Sequence, residues 1–288
     1  METSFCGYYY YDFLGIIHSE LAFWSLHGPV IIGEYATYAI RYSWDNNIKA
    51  VEQWYRMNKA NTFNEWNDAM SLLAIPMFNT GYADKEGNIF FIYSAKLPIR
   101  SLKYDWKKVV PGNTSNTLWT NFIPYKDLPK LFNPTTGFIQ NCNNTPFYTT
   151  NNISPIFTLA DTLYSGIEST ITNRSRRAME LFSNDVSISY SDFKKIKFDL
   201  SYSIESNMVL YVNRTKDLIK NNENTDFIDA YEILDNWDFS TDKENMNATL
   251  PIISFGRFVD SKPENITDNM LIYNLNEGVK FLQKNYKK

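Results

Sequence analysis

The run Asn133-Pro134-Thr135-Thr136-Gly137-Phe138-Ile139-Gln140-Asn141-Cys142-Asn143-Asn144-Thr145-Pro146 combines a turn, a short apolar stretch and an asparagine cluster closed by proline. Pro134 and Gly137 punctuate its entry, and Pro146 biases Thr145 towards extended backbone. This pattern places Asn143 at the end of a strand-like segment, on irregular backbone, with its side-chain amide available. An amide held there can donate to the oxyanion that develops when an acyl carbonyl is attacked, worth about 2.7–4 kcal/mol per donor. The same Asn-Asn-Thr-Pro pattern also makes an ordinary turn. The segment alone leaves both readings open.

Other chemistry-bearing residues are sparse. The two histidines, His18 and His27, cannot form a metal site by themselves. His27 beside Gly28-Pro29 reads as a hydrogen-bonded structural residue. Cys6 and Cys142 lie far apart, with no CxxC or His spacing suited to zinc. Asp84 is the tempting carboxylate of Asp84-Lys85-Glu86-Gly87, but as a hairpin residue it is better placed to accept hydrogen bonds from its own loop. Ser4 is a hydroxyl near the N-terminus with nothing around it that looks like a processing junction.

The elements that must position these groups fit a globular chain. Its 288 residues, 44% of them hydrophobic, are enough for one large core or two modest ones. A net charge of −4 with no basic stripe argues against nucleic acid as a partner. No stretch reads as a membrane span, because Gly7–Ile17, the most apolar run near the start, contains Asp12 and lacks signal-peptide flanks. Strands are expected over Pro29–Ile32 and Tyr35–Tyr42, then over residues 75–95 around the Asp84 hairpin. An amphipathic helix is expected over Asn47–Ala60, with Ile48, Val51, Trp54, Tyr55 and Met57 turned to the core. Thr62 with Glu65 predicts a capping box for a second helix carrying Phe63, Trp66, Met70 and Leu73. Residues 96–123 read as loop and 124–132 as a polar connector. Helical material is expected within Phe157–Phe182, from Ser189, over Ser206–Asn221, Asp226–Asp235 and Asn269–Lys284. The resulting division is an unplaced segment 1–23, a strand-rich core 24–154, a helical layer 155–240, and a loop with terminal helix 241–288.

A second set of blocks gives these elements a context. Asn79-Thr80-Gly81-Tyr82-Ala83-Asp84-Lys85-Glu86-Gly87-Asn88-Ile89 precedes Leu97-Pro98-Ile99-Arg100, Pro111-Gly112, Trp119 and Leu128-Pro129. Upstream stands His27-Gly28-Pro29-Val30; downstream stand Asn173-Arg174-Ser175-Arg176-Arg177 and Asp235-Asn236-Trp237-Asp238. In this order they resemble the middle of the large subunit of the penicillin acylase family, over roughly residues 24–240. That family includes the aculeacin and acyl-homoserine-lactone acylases, towards which the Tyr82–Ile89 and Asn143–Pro146 blocks lean.

The resemblance implies an α+β chain, part of the four-layer αββα fold of N-terminal-nucleophile hydrolases and incomplete at both ends. It implies cleavage of linear acyl amides by an N-terminal serine whose own amine is the base. Only 26 residues precede His27, so the nucleophile, the front part of the large subunit and the small subunit are expected outside this chain. Asn143 matches the side-chain oxyanion donor, and Arg174, with Arg177 as the alternative, matches the arginine that orients it. Complete family members are usually exported to the periplasm or secreted, and the family often carries a structural calcium held partly by the large subunit. Where one of its carboxylates is expected, this chain has Ser154. No cofactor is otherwise implied. The alternative is a non-catalytic remnant or scaffold without the nucleophile.

Overall fold

The computed structural model describes residues 5–13, 16–43, 47–75, 77–151, 166–183, 187–221 and 227–286. Ser4, Ser154 and the expected change of layer near residue 155 lie outside them. Two units separate by their internal contacts: Met1–Ile139 with Ser154–Ser169, and Gln140–Ile153 with Thr170–Lys288.

The first unit carries two antiparallel sheets. In one, β1 (Phe5–Phe13), β2 (Ile16–Ser25), β3 (Gly28–Ile32) and β4 (Thr37–Ala39) lie side by side in chain order. β1 and most of β2 fall in the stretch 1–23 to which the sequence pattern assigned no element. Its Tyr8–Tyr11 run has no period-two contrast between apolar and polar positions, so alternation could not reveal the strand. His27 occupies the two-residue turn between β2 and β3, its backbone N–H donating to Ser25 Oγ at 3.2 Å.

In the second sheet β6 (Ile89–Ser94) is central, between β5 (Phe78–Ala83) and β7 (Lys130–Phe132). Asp84 closes the β5–β6 hairpin as expected. Its Oδ1 accepts from Asn88 N at 2.9 Å, while Oδ2 accepts from Asn88 Nδ2 at 2.9 Å and Tyr82 Oη at 3.1 Å. These bonds, the Asn88 side chain first, hold its carboxyl below the usual range. The polar connector expected over 124–132 needs correction at its end. Pro129 O accepts from Tyr93 N at 2.9 Å, and Leu131 and Phe132 then pair with Phe91 and Phe90. Three residues suffice because the partner strand is already in place.

Helices α1 (Ala50–Lys59) and α2 (Phe63–Met70) complete this unit. Thr62 Oγ1 accepts from Glu65 N, and Glu65 Oε2 accepts in return from Asn61 N, so the box closes one residue early. Trp66, Ala69 and Met70 are buried, and Phe63 stacks on Phe132 with centroids 4.7 Å apart. The expected inner face of α1 is corrected: Ile48, Val51, Trp54 and Tyr55 are exposed, and its buried residue is Gln53. Gln53 Oε1 accepts from Ala74 N at 2.7 Å and Ile75 N at 3.2 Å. The rotation of α1 therefore follows the backbone after α2, which needs an acceptor, and not the aromatic stripe.

The second unit is helical: α3 (Asn173–Ser183), α4 (Tyr190–Lys197), α5 (Asn207–Asn221), α6 (Ile228–Asp235), α7 (Thr249–Phe255) and α8 (Asp268–Asn285). Met208, Tyr211, Val212, Leu234, Leu250, Phe255, Leu271 and Leu275 form its core. Helix α7, which contains Pro251, lies in the stretch 241–288 where the sequence pattern gives a loop before the terminal helix. Proline at the third helical position costs little, since that N–H has no intrahelical acceptor. α7 and α8 approach closely where Gly278 faces Ser254; a Cβ at Gly278 would stand 2.3 Å from Ser254 Oγ.

Candidate active site

The asparagine cluster and the start of α3 belong to the same unit, and backbone demands bring them together. Thr172 Oγ1 accepts from Ser175 N at 3.2 Å, satisfying one free N–H of the helix start. That hydroxyl lies 3.5 Å from Cys142 O, and Thr145 N donates to Thr170 O at 3.2 Å. These contacts tie the asparagine loop to the first turn of α3.

Inside the loop the two neighbouring asparagines do different work. Asn144 is buried: its Oδ1 accepts from Cys142 N at 2.8 Å, and its Nδ2 donates to Thr145 O and Tyr148 O at 2.8 and 3.0 Å. The Gln140 side chain also donates to Tyr148 O. Asn144 thus replaces the ladder bonds that an irregular loop lacks. Asn143 is exposed and sits at φ +57, with its N–H on Asn141 Oδ1 at 3.2 Å. This left-handed conformation is one that asparagine tolerates, and no strand leads into it.

Arg174, in the first turn of α3, reaches this position. Its Nη2 donates to Asn143 Oδ1 at 2.9 Å and to Cys142 O at 3.2 Å. Arginine is donor-only, so it can engage only the amide oxygen, and Nδ2 must face the other way. Among the described residues Nδ2 has no acceptor, and Asn143 is an exposed residue. The arrangement presents an amide N–H pair whose acidity is raised by the cation on its oxygen.

Arg177 is not brought to Asn143. Its Nε and Nη2 take both oxygens of Asp199 at 2.9 Å each, and Nη1 meets Glu180 at 3.2 Å. Asp199 holds the guanidinium above its usual pKa, and in return Arg177 holds the Asp199 carboxyl below the carboxylate range. A lowered folded pKa means stability that is present above the ordinary aspartate value and lost as pH falls through the folded one. Asp199→Asn should therefore flatten the loss of stability on acidification below about pH 4. Urea midpoints measured from pH 6 to pH 3 check this, and identical slopes in variant and parent would refute it.

Cys142, between these groups, is a free thiol. Burial raises its pKa, and Arg174 offsets this in part. Among the described residues no three His, Cys, Asp or Glu side chains gather as metal ligands. Thr172 and Asn144, which build the site, escaped the sequence reading. Thr172 stands three residues before Ser175 in an N-cap pattern that could have shown it.

The profile of the penicillin amidase family matches residues 18–277. Penicillin G acylase of Escherichia coli is 31% identical over 126 residues, which make up 42% of this chain and 15% of that protein. The fold is similar to that of a thermostable penicillin G acylase from Alcaligenes faecalis, at TM-score 0.69 and 17% identity, over 98% of this chain and 61% of the other. The matched parts span less than two thirds of either relative. Helices with antiparallel sheets correspond to part of the α+β N-terminal-nucleophile hydrolase fold.

Proposed function

Because the chain belongs to the penicillin amidase family, we propose that it supplies the oxyanion side of a site that hydrolyses linear acyl amides. The observation that carries this reading is the 2.9 Å bond from Arg174 Nη2 to Asn143 Oδ1. A serine hydroxyl attacks the amide carbonyl, and its own α-amine takes the proton. The carbonyl oxygen gains the negative charge, and Asn143 Nδ2 donates to it. Collapse then expels the amine, which leaves with the proton from the α-amine, and water cleaves the remaining acyl ester. The reading assigns that serine, and the second oxyanion donor, to residues outside this chain. It likewise assigns the small subunit and the front of the large subunit as its partners.

Arg174 has no part in bond making. Its task is to keep Asn143 Nδ2 aimed, which a planar fork does better than an ammonium. In a protein that joins this chain to its nucleophile, Arg174→Lys should lower kcat by about 10²-fold, as a misplaced donor does, with KM little changed. Hydrolysis of a chromogenic acyl anilide measures this. A change in KM alone would reduce Arg174 to a substrate contact. No turnover in the assembled parent protein would favour the non-catalytic scaffold.

A further inference from the structure

A separate cleft of about 330 Å³ opens in the first unit, lined among others by Leu73, Met77, Lys96, Pro98, Arg100 and Trp119. Among its polar residues is Arg100. The guanidinium carbon lies 4.7 Å from the Trp119 ring centre and 5.3 Å from that of Trp106. Gly166, at φ +77, forms a further wall. A Cβ there would stand 2.8 Å from Arg100 Nη1, so the cation lies close against this glycine.

Among the described residues the cation has no counter-charge. Arg100 Nε and Trp119 Nε1 are both buried without an acceptor. No Asp or Glu among the described residues pairs with Arg100. The ring faces attract the guanidinium, but they give its buried Nε no acceptor, and an anion beside it would supply one. Burial also pulls the Arg100 pKa below its usual value. Trp106 does not share this lack, since its own N–H donates to Ser101 O at 2.8 Å.

We propose that this cleft binds a small organic monocarboxylate with an apolar tail. The two carboxylate oxygens match the guanidinium fork. The tail lies along Leu73, Ile75, Met77 and Pro98, a lining that disfavours a doubly charged, fully polar phosphate. Lys96, whose ammonium rests 4.6 Å from the Phe122 ring centre, adds a second positive charge at the cleft. The volume falls within the range of small-molecule sites. The proposal concerns binding alone and stands whether or not the family reaction is found.

The test is a tryptophan-fluorescence titration of the full chain with hexanoate, hexanamide and inorganic phosphate at constant ionic strength. Hexanoate should saturate, with hexanamide and phosphate weaker by at least about tenfold, the value of one charge-assisted pair. Arg100→Met, with an unchanged circular dichroism spectrum, should lose at least as much affinity for hexanoate. Equal binding of hexanoate and hexanamide by the parent overturns the proposal, and so does hexanoate binding that survives in a folded Arg100→Met. If that variant does not fold, the acid-to-amide ratio in the parent decides alone. Phosphate binding tighter than hexanoate also overturns it, by making the cleft a site for inorganic anions.

Discussion

In an enzyme that joins this chain to its nucleophile, Asn143→Ala is expected to lower kcat for an acyl amide by about 10²–10³ while KM stays nearly constant. The loss arises because the oxyanion exists only after attack, so the Nδ2 donor acts on the transition state more than on bound substrate. Alanine also strains a backbone at φ +57, by about 1–2 kcal/mol. Two further variants separate strain from chemistry. Asn143→Gly keeps the conformation and Asn143→Asp keeps an oxygen for Arg174, yet neither has an N–H to donate. All three should be comparably slow, and only alanine should also lose stability. Full turnover in the glycine variant would remove Asn143 from the reaction.

Gln53→Leu is expected to cost about 2–5 kcal/mol, one of the larger effects that a side chain facing no ligand can have. Leucine fits the volume, but Ala74 N and Ile75 N lose the oxygen they share. A buried N–H without a partner costs about 1–3 kcal/mol, and here there are two. The weak contact from Gln53 Nε2 to Met70 Sδ, at 3.6 Å, adds little. Gln53→Glu keeps the acceptor but buries a charge, so it should be destabilised most at neutral pH and recover as the carboxyl protonates. The urea midpoint, followed by tryptophan fluorescence, reports both. A leucine variant within about 0.5 kcal/mol of the parent, the usual span of an uncommitted surface change, would mean that water replaces the glutamine.

Local capping chemistry was readable from the chain, and long-range demands were not. Thr62 with Glu65 and Ser189 with Asp192 announce their helices because donor and acceptor lie three residues apart. Asp84 announces its turn for the same reason. The face of α1 was misread because its orientation is fixed by backbone groups 21 and 22 residues away. β7 was missed because three residues show no period, and α7 because Pro251 suggests a break wherever it stands. At the site, Arg174 and Arg177 are nearly equivalent by helical spacing. Asp199, which takes Arg177, lies 22 residues further on, and nothing near either arginine marks it. Asn143 and Asn144 have the same side chain and adjacent places in the sequence; burial and backbone conformation divide them.

That division bears on how such a domain would decay over generations. The buried amide of Asn144 holds the loop, whereas the exposed amide of Asn143 holds nothing but its arginine. Selection for folding would guard the first, and under the proposed reaction only selection for turnover would guard the second. A lineage released from its reaction would keep Asn144 and drift at 143, first to glycine or aspartate, which the left-handed backbone admits. Descendants of this kind would be well-folded proteins with intact cores, and the residue at 143 would tell them apart from working enzymes.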